Sequence, residues 1–308
     1  MITRQEIEKV AWIDLVNPTK DEVLEVMEEL DIHPLVAEEL LVPTLQSRVE
    51  EYPKYLYLIL HFPALHHTQN EHHVLAEKQE IDFIIGKKFI VTTRYGNLDP
   101  ILNLAKIVEV DSILKRAVLG EHAGYLFYQM IKRLYGALEI ELQYIGDALL
   151  HIEDRIFDGS ERNLVFELSI ISSSLVGFRA ALRPHREVLA SLEQVGLTFF
   201  DKDFAHYLKS IAGYEYKVFN MVHSHFDTLS ELRETNNSLL STKQSETMKT
   251  LTIMAFVTFP LSLIAGIFGM NTIDTPIISS QYGFWYVLFL MIGASGLFFA
   301  YFKHKKWL

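Results

Sequence analysis

Thr250-Leu251-Thr252-Ile253-Met254-Ala255-Phe256-Val257-Thr258-Phe259-Pro260-Leu261-Ser262-Leu263-Ile264-Ala265-Gly266-Ile267-Phe268-Gly269-Met270-Asn271-Thr272-Ile273 contains no charged side chain. As a helix it reaches roughly 35 Å, enough to cross the hydrocarbon core of a bilayer. A second uncharged run, Tyr282–Phe302, is again one span long. A soluble core would have to bury two such helices, apolar on nearly every face, side by side. Tyr282, Trp285 and Tyr286 open the second run, and Tyr301 and Trp307 close it, as an interfacial aromatic belt does. Lys303-His304-Lys305-Lys306 then places the C-terminus on the cytoplasmic side by the positive-inside rule. Two spans return the N-terminal part to that side, and Met1–Glu6 offers no apolar run of the signal-peptide kind. The expectation is a multi-pass protein of the cell (inner) membrane with both termini cytoplasmic.

Composition narrows the chemistry. The 308 residues have a formal net charge of −11 and no cysteine. Disulfides, Cys-ligated zinc and iron–sulfur clusters are excluded. Residues 245–308 hold four lysines and two acids, so the first 244 carry −13. That balance argues against nucleic acid, whose binding runs on clustered Lys and Arg, and suits attraction of cations. No Walker pattern occurs, and Gly86-Lys87-Lys88 reads as a hairpin turn, so ATP-driven transport is not expected.

Two helices cannot enclose a water-filled path, so a pore requires several copies around an axis. Counting by threes and fours from Ser245 gives Met248, Thr252, Ala255, Phe259, Ser262 and Gly266, a small and hydroxyl-bearing face. Small residues at this spacing also suit plain helix packing. The same line continues backward through Ser241, Ser238, Glu234, Glu231 and Asp227. Acids facing a symmetry axis are costly if dry and reasonable if the axis holds water and cations. One helix from about Asp203 to Gly269, on the order of 100 Å, therefore serves as stalk and pore together. Pro260 falls inside it, tolerated where neighbours or water satisfy the freed carbonyl. Met248, Leu251 and Phe259 are candidate apolar constrictions. At its end, Gly269-Met270-Asn271 can act as a filter. Mg²⁺ dehydrates reluctantly, and a ring of Asn271 amide oxygens can accept hydrogen bonds from its coordinated waters. The same tripeptide also reads as a helix C-cap, and spacing does not separate the two.

Upstream, strand-like stretches at Val10–Val16, Tyr55–His61, Ile81–Ile85 and Phe89–Thr93 alternate with helical patterns at Lys20–Leu30 and Leu35–Leu41. From about Ile101 the pattern is helical, with Ala123–Phe157 long and amphipathic. The fold class expected is an α+β cytoplasmic domain with a long helical stalk and two C-terminal transmembrane helices. It divides into 1–100 (α/β), 101–200 (helical), 201–271 (stalk and first membrane helix), 272–281 (outer loop), 282–302 (second membrane helix) and 303–308 (basic tail). His66-His67 and His72-His73 invite a transition-metal reading, against a polar hairpin loop.

The run Ser245–Thr252, the passage to Phe259-Pro260-Leu261, and Ile264–Asn271 resemble the first membrane helix of the CorA family of magnesium and cobalt channels. The ending Lys303–Leu308 is similar to that family's basic tail, and Trp12–Thr19 and Phe178–Leu189 resemble its upstream patterns. The resemblance implies a homopentameric funnel in a lipid bilayer, passive passage of Mg²⁺ with Co²⁺ and Ni²⁺, an Asn271 filter and gating by bound cytoplasmic Mg²⁺. It implies no organic cofactor. Two departures stand out. Phe259 occupies a position where many relatives carry Met, and Ser210 one where some carry an acid of a regulatory magnesium site. Asp82, Asp203 and Glu215, then Glu80 and Asp201, are the acids available to replace it. Competing readings are a zinc transporter of the ZntB type and a non-conducting membrane-anchored coiled-coil sensor or scaffold. An enzyme is not expected, since no nucleophile–base constellation occurs.

Overall fold

Within Val10–Val16 the side chains alternate between two buried faces, which makes this strand interior to a sheet covered on both sides. The computed structural model describes residues 1–7, 9–67, 74–95, 122–157, 161–200, 202–270, 281–305 and 307, without side chains for 64–67, 74–77, 161–162 and 202. Contacts divide it into two compact units, Met1–Glu234 and Thr235–Leu308.

Among the described residues the first unit has six strands: β1 (Ile2–Ile7), β2 (Val10–Val16), β3 (Arg48–Glu51), β4 (Tyr55–His67), β5 (Val74–Gly86) and β6 (Phe89–Arg94). Their order is β1-β2-β6-β5-β4-β3, and β2–β6 is the parallel pair among antiparallel ones. Two short helices, α1 (Lys20–Leu30) and α2 (Pro34–Glu39), form the connection between β2 and β3. Thr19 and Glu22 cap α1 reciprocally, each side chain accepting the other's backbone N–H. Both helices cover one face of the sheet, where Ile13, Leu15, Tyr57, Ile59, Ile84 and Val91 meet Val23, Val26, Val36 and Leu40. The other face packs on helices α3 (Ala123–Ile156), α4 (Glu161–Leu182) and α5 (His185–Phe199). Phe83 meets Phe127 edge-on at 5.3 Å between ring centroids, and Phe62 meets Tyr135 at 5.8 Å. Each such ring contributes on the order of 2 kcal/mol through burial.

A 3-10 turn, Lys202–Phe204, leads into α6, one continuous helix from Ala205 to Phe268. Within the first unit its packed face is Leu208, Ile211, Glu215, Val218, Val222, Leu229 and Leu232, spaced by threes, fours and sevens. The second unit comprises the remainder of α6 and helix α7 (Gly283–His304).

Among the described residues three stretches are long and apolar enough to cross a membrane by length and composition, one more than the sequence patterns predict: Asn163–Phe199, Ala205–Phe268 and Gly283–His304. The first differs in kind. Of its apolar window 39% is buried within the chain, against 6% in each of the other two. It also breaks at Pro184, carries Arg179, Arg183 and Arg186, and packs on the sheet. The other two leave most of their apolar surface for an apolar solvent.

Candidate functional site

An α-helix turns 100° per residue, so the packed face of α6 and the sequence-derived stripe can be placed on one wheel. Asp227, Glu231 and Glu234 fall roughly opposite Val218, Val222, Leu229 and Leu232 on that wheel. All three acids are exposed, as are Ser238, Ser241 and Ser245 along the same line. Farther on, Met248, Leu251, Phe259, Ser262 and Gly266 are exposed, with Phe259 at 72%. Ala255 and Thr252 are half-buried. Ile253, which is buried, and Val257, Pro260, Leu261, Ile264 and Phe268, which like Thr252 and Ala255 are half-buried, lie on a different face from the stripe. Thr252 sits at the edge of the stripe. With Phe256 it lines an apolar groove of about 640 Å³ completed by Leu297, Phe298, Tyr301, Phe302 and Trp307.

The threonine hydroxyls of the segment bond back to its own carbonyls. Thr250 donates to the carbonyl of Glu246 at 3.0 Å, Thr252 to Met248 at 2.8 Å and Thr258 to Met254 at 2.7 Å. Such back-bonding lets a hydroxyl reside in an apolar helix, and its oxygen remains an acceptor for water. Pro260 has no N–H, so the carbonyl of Phe256 loses its helical donor while α6 continues to Phe268. At the end, Gly269 N–H donates to Ala265 at 2.8 Å and Met270 N–H to Ile267 at 3.3 Å. A Cβ on Gly269 would stand 2.8 Å from the Ala265 carbonyl oxygen, so only glycine fits that turn without displacement. Gly266 has open space around it. Asn271 lies outside the described residues.

The three acids considered for regulation do not converge: among the described residues no three His, Asp or Glu side chains form a metal cluster. Asp203 is exposed in the 3-10 turn. Glu215 is buried on the packed face of α6, where desolvation raises its pKa against the opposing pull of Arg186. Asp82 is 1% exposed inside the sheet, and burial together with neighbouring Glu80 pushes its carboxyl well above the usual range. Ser210 spends its hydroxyl on the carbonyl of His206 at 2.9 Å. His66 and His67 end β4, opposite Leu75 and Val74, while His72, His73 and Asp201 are outside the described residues.

Two buried polar groupings escape sequence reasoning because their partners are far apart in the chain. Arg94 donates to Asp14 at 3.0 Å, Thr92 to Asp14 at 2.7 Å, and Trp12 to Thr92 at 3.0 Å. The Trp12-Ile13-Asp14 pattern therefore secures β2 to β6. His185, fully buried, bridges the Tyr135 hydroxyl at 2.7 Å and the carbonyl of His61 at 2.9 Å, and burial depresses its pKa to about 3. Arg179 lies over the Phe226 ring at 4.4 Å, fixing α4 to α6.

An α/β unit together with two apolar C-terminal segments long enough to cross a membrane, the latter part of α6 and α7, is the architecture of a membrane protein. Residues 8–304 match the family described as CorA-like Mg²⁺ transporter protein, and the chain belongs to that family. It is 28% identical over 301 residues to the cobalt/magnesium transport protein CorA of Thermotoga maritima, covering 96% of this chain and 83% of that one. It is 20% identical over 225 residues to the zinc transport protein ZntB of Yersinia enterocolitica, covering 72% of this chain and 65% of that protein. The solved structure of the CorA magnesium transporter from Methanocaldococcus jannaschii shares the fold with a TM-score of 0.82 at 22% identity, over 97% of this chain and 92% of that one.

Proposed function

We propose that the chain assembles as a homopentamer into a passive channel for divalent cations, with Mg²⁺ as principal ion and Co²⁺ and Ni²⁺ accompanying it. The observation that carries this reading is the single helix Ala205–Phe268, whose exposed face runs from acids to hydroxyls and small residues. Exposed Asp227, Glu231 and Glu234 concentrate cations at the inner mouth. Thr252 and Ser262 offer oxygens to hydrated ions, and Met248, Leu251 and Phe259 form apolar constrictions that close by dewetting. Asn271, following Gly269 and Met270, accepts hydrogen bonds from the waters of an octahedrally hydrated ion and binds it weakly enough to release it. The membrane potential drives entry.

Single cysteines at Met248, Ala255, Phe259, Ser262 and Gly266 should react with a small polar thiol reagent faster than cysteines at Ile253, Val257 or Ile264. Equal labelling of both sets contradicts the pore assignment. Cytoplasmic Mg²⁺ closes the channel by neutralising acidic contacts between copies, because the −13 of residues 1–244 repels itself in a ring. Of Asp82, Asp203 and Glu215, Asp203 is the one exposed to solvent, so it is the first to mutate. Mg²⁺ should protect α6 from proteolysis, less so in Asp203→Ala. Cleavage indifferent to millimolar-range Mg²⁺ rules out this gating.

A further inference from the structure

The groove between the latter part of α6 and α7 is apolar along its walls and basic at one end. Thr252 and Phe256 form one wall, and Leu297, Phe298, Tyr301 and Phe302 the other. The one hydroxyl on the α6 side, that of Thr252, is spent on the carbonyl of Met248. Leu297 is 74% exposed, so the chain itself does not cover this wall. On a helix, residues seven apart lie within about 20° of one line and about 10.5 Å apart along it. Lys249 precedes Phe256 by seven, and Lys305 follows Phe298 by seven. Each lysine therefore continues its own wall of the groove toward the end that carries the basic tail. Lys249 is half-buried, whereas Ser241 to Met248 are all exposed, which sets its side chain apart from the solvated stretch before it. Lys303 lies about 140° around α7 from Phe298, on the far side, and Glu246 about 80° around α6 from Phe256.

Past α7 the chain turns back on itself. The Trp307 N–H donates to the carbonyl of Phe302 at 2.9 Å, and its ring stacks on Phe302 with centroids 6.0 Å apart. An indole favours the level of the lipid headgroups, so Trp307 marks the basic end of the groove as the end at the membrane surface. Apolar walls in the hydrocarbon region with two cations just beyond them fit an acyl chain joined to a negatively charged headgroup. A helix of a second copy fits less well. Cyclic symmetry puts identical residues at one height, so a neighbour in the groove would bring its own Lys249 or Lys305 beside these two.

We propose that this groove binds an anionic phospholipid of the cytoplasmic leaflet. Its phosphate sits between Lys249 and Lys305, and an acyl chain runs along Phe256, Phe298 and Leu297. The lysine stems lie on the apolar walls and lift their ammonium groups to the headgroup layer. The site adjoins the pore stripe, because Thr252 belongs to both. It rests on the reading of α6 and α7 as membrane spans with the tail cytoplasmic, and it does not require conduction.

The test is native mass spectrometry of the full-length assembly in detergent, incubated with equal amounts of phosphatidylglycerol and phosphatidylcholine of the same acyl chains. Phosphatidylglycerol should be retained in preference, and Lys249→Gln or Lys305→Gln should each lower its retention about five-fold. Lys303→Gln should leave retention unchanged. Leu297→Trp fills the groove and keeps every lysine, so it should remove both lipids while the assembly stays intact on gel filtration. Equal losses in Lys303→Gln and Lys305→Gln overturn the proposal, since the tail would then attract lipid diffusely. So does equal retention of the two lipids, or undiminished retention in Leu297→Trp. Dissociation of the assembly in Leu297→Trp would assign the groove to a second copy and overturn it as well. A chain that stays soluble without detergent would instead refute the reading of the two spans, and the lipid site with it.

Discussion

His185 makes the first unit sensitive to acid by an amount that follows from its surroundings. The ring is fully buried, with Nδ1 accepting from Tyr135 at 2.7 Å and Nε2 donating to the carbonyl of His61 at 2.9 Å. Both nitrogens are committed, and burial lowers the pKa to about 3. In the unfolded chain the imidazole titrates near 6.5. Between those values the unfolded state binds a proton that the folded state refuses, so stability is lost as pH falls from about 6.5 toward 3. Taking pH 7 to pH 5, the unfolded state gains about 2 kcal/mol per chain from this group. His185→Gln preserves an acceptor for Tyr135 and a donor for His61 without a titrating proton. The assay is urea unfolding followed by Trp12, which is buried in β2, in a background where Trp285 and Trp307 are phenylalanine. The wild type should lose about 2 kcal/mol more than His185→Gln on going from pH 7 to pH 5. Parallel losses, within about 0.5 kcal/mol, would refute the reasoning.

Asp14→Ala leaves Arg94 buried without its carboxylate and should destabilise the first unit by about 3–5 kcal/mol in the same urea assay, an effect largely relieved by adding Arg94→Leu. Phe259→Ala should raise resting ion flux while shifting the unfolding midpoint little, because the ring is exposed in the single chain; a reduced flux argues against a constriction there. Gly269→Ala drives a Cβ against the Ala265 carbonyl and should cost upward of about 1 kcal/mol at the helix end, with flux lost and the oligomer retained on gel filtration.

Much of this architecture is legible because its signals are local. Val10–Val16 and Lys20–Leu30 occupy the limits their periodicity predicts, and the capping box at Thr19 marks where the helix starts. The uncharged runs likewise emerge as α7 and the latter part of α6. β1 and β3 were not legible. Ile2–Ile7 and Arg48–Glu51 are edge strands rich in charged and polar residues, held by backbone pairing to β2 and β4 and not by a hydrophobic pattern of their own. β4 and β5 extend past the expected strands because they pair with each other over their full length, through residues that alone favour a loop. For the candidate site, one helix carries the stripe, so spacing in the sequence translates directly into a face. The burial of Asp82 and Glu215 depends on elements remote in sequence, and the pattern gives no sign of it. His185 and Arg94 are in the same position: their partners lie 124 and 80 residues away.

The most direct test of the central claim is Mg²⁺ uptake into liposomes under an inside-negative potential, comparing the wild type with Asn271→Ala reconstituted at equal oligomer content. Passage of a hydrated divalent ion through a ring of Asn271 amides predicts potential-driven, saturable Mg²⁺ entry in the wild type. In Asn271→Ala entry should fall to the level of protein-free vesicles, although the assembly remains intact. Undiminished Mg²⁺ entry through Asn271→Ala would contradict the account.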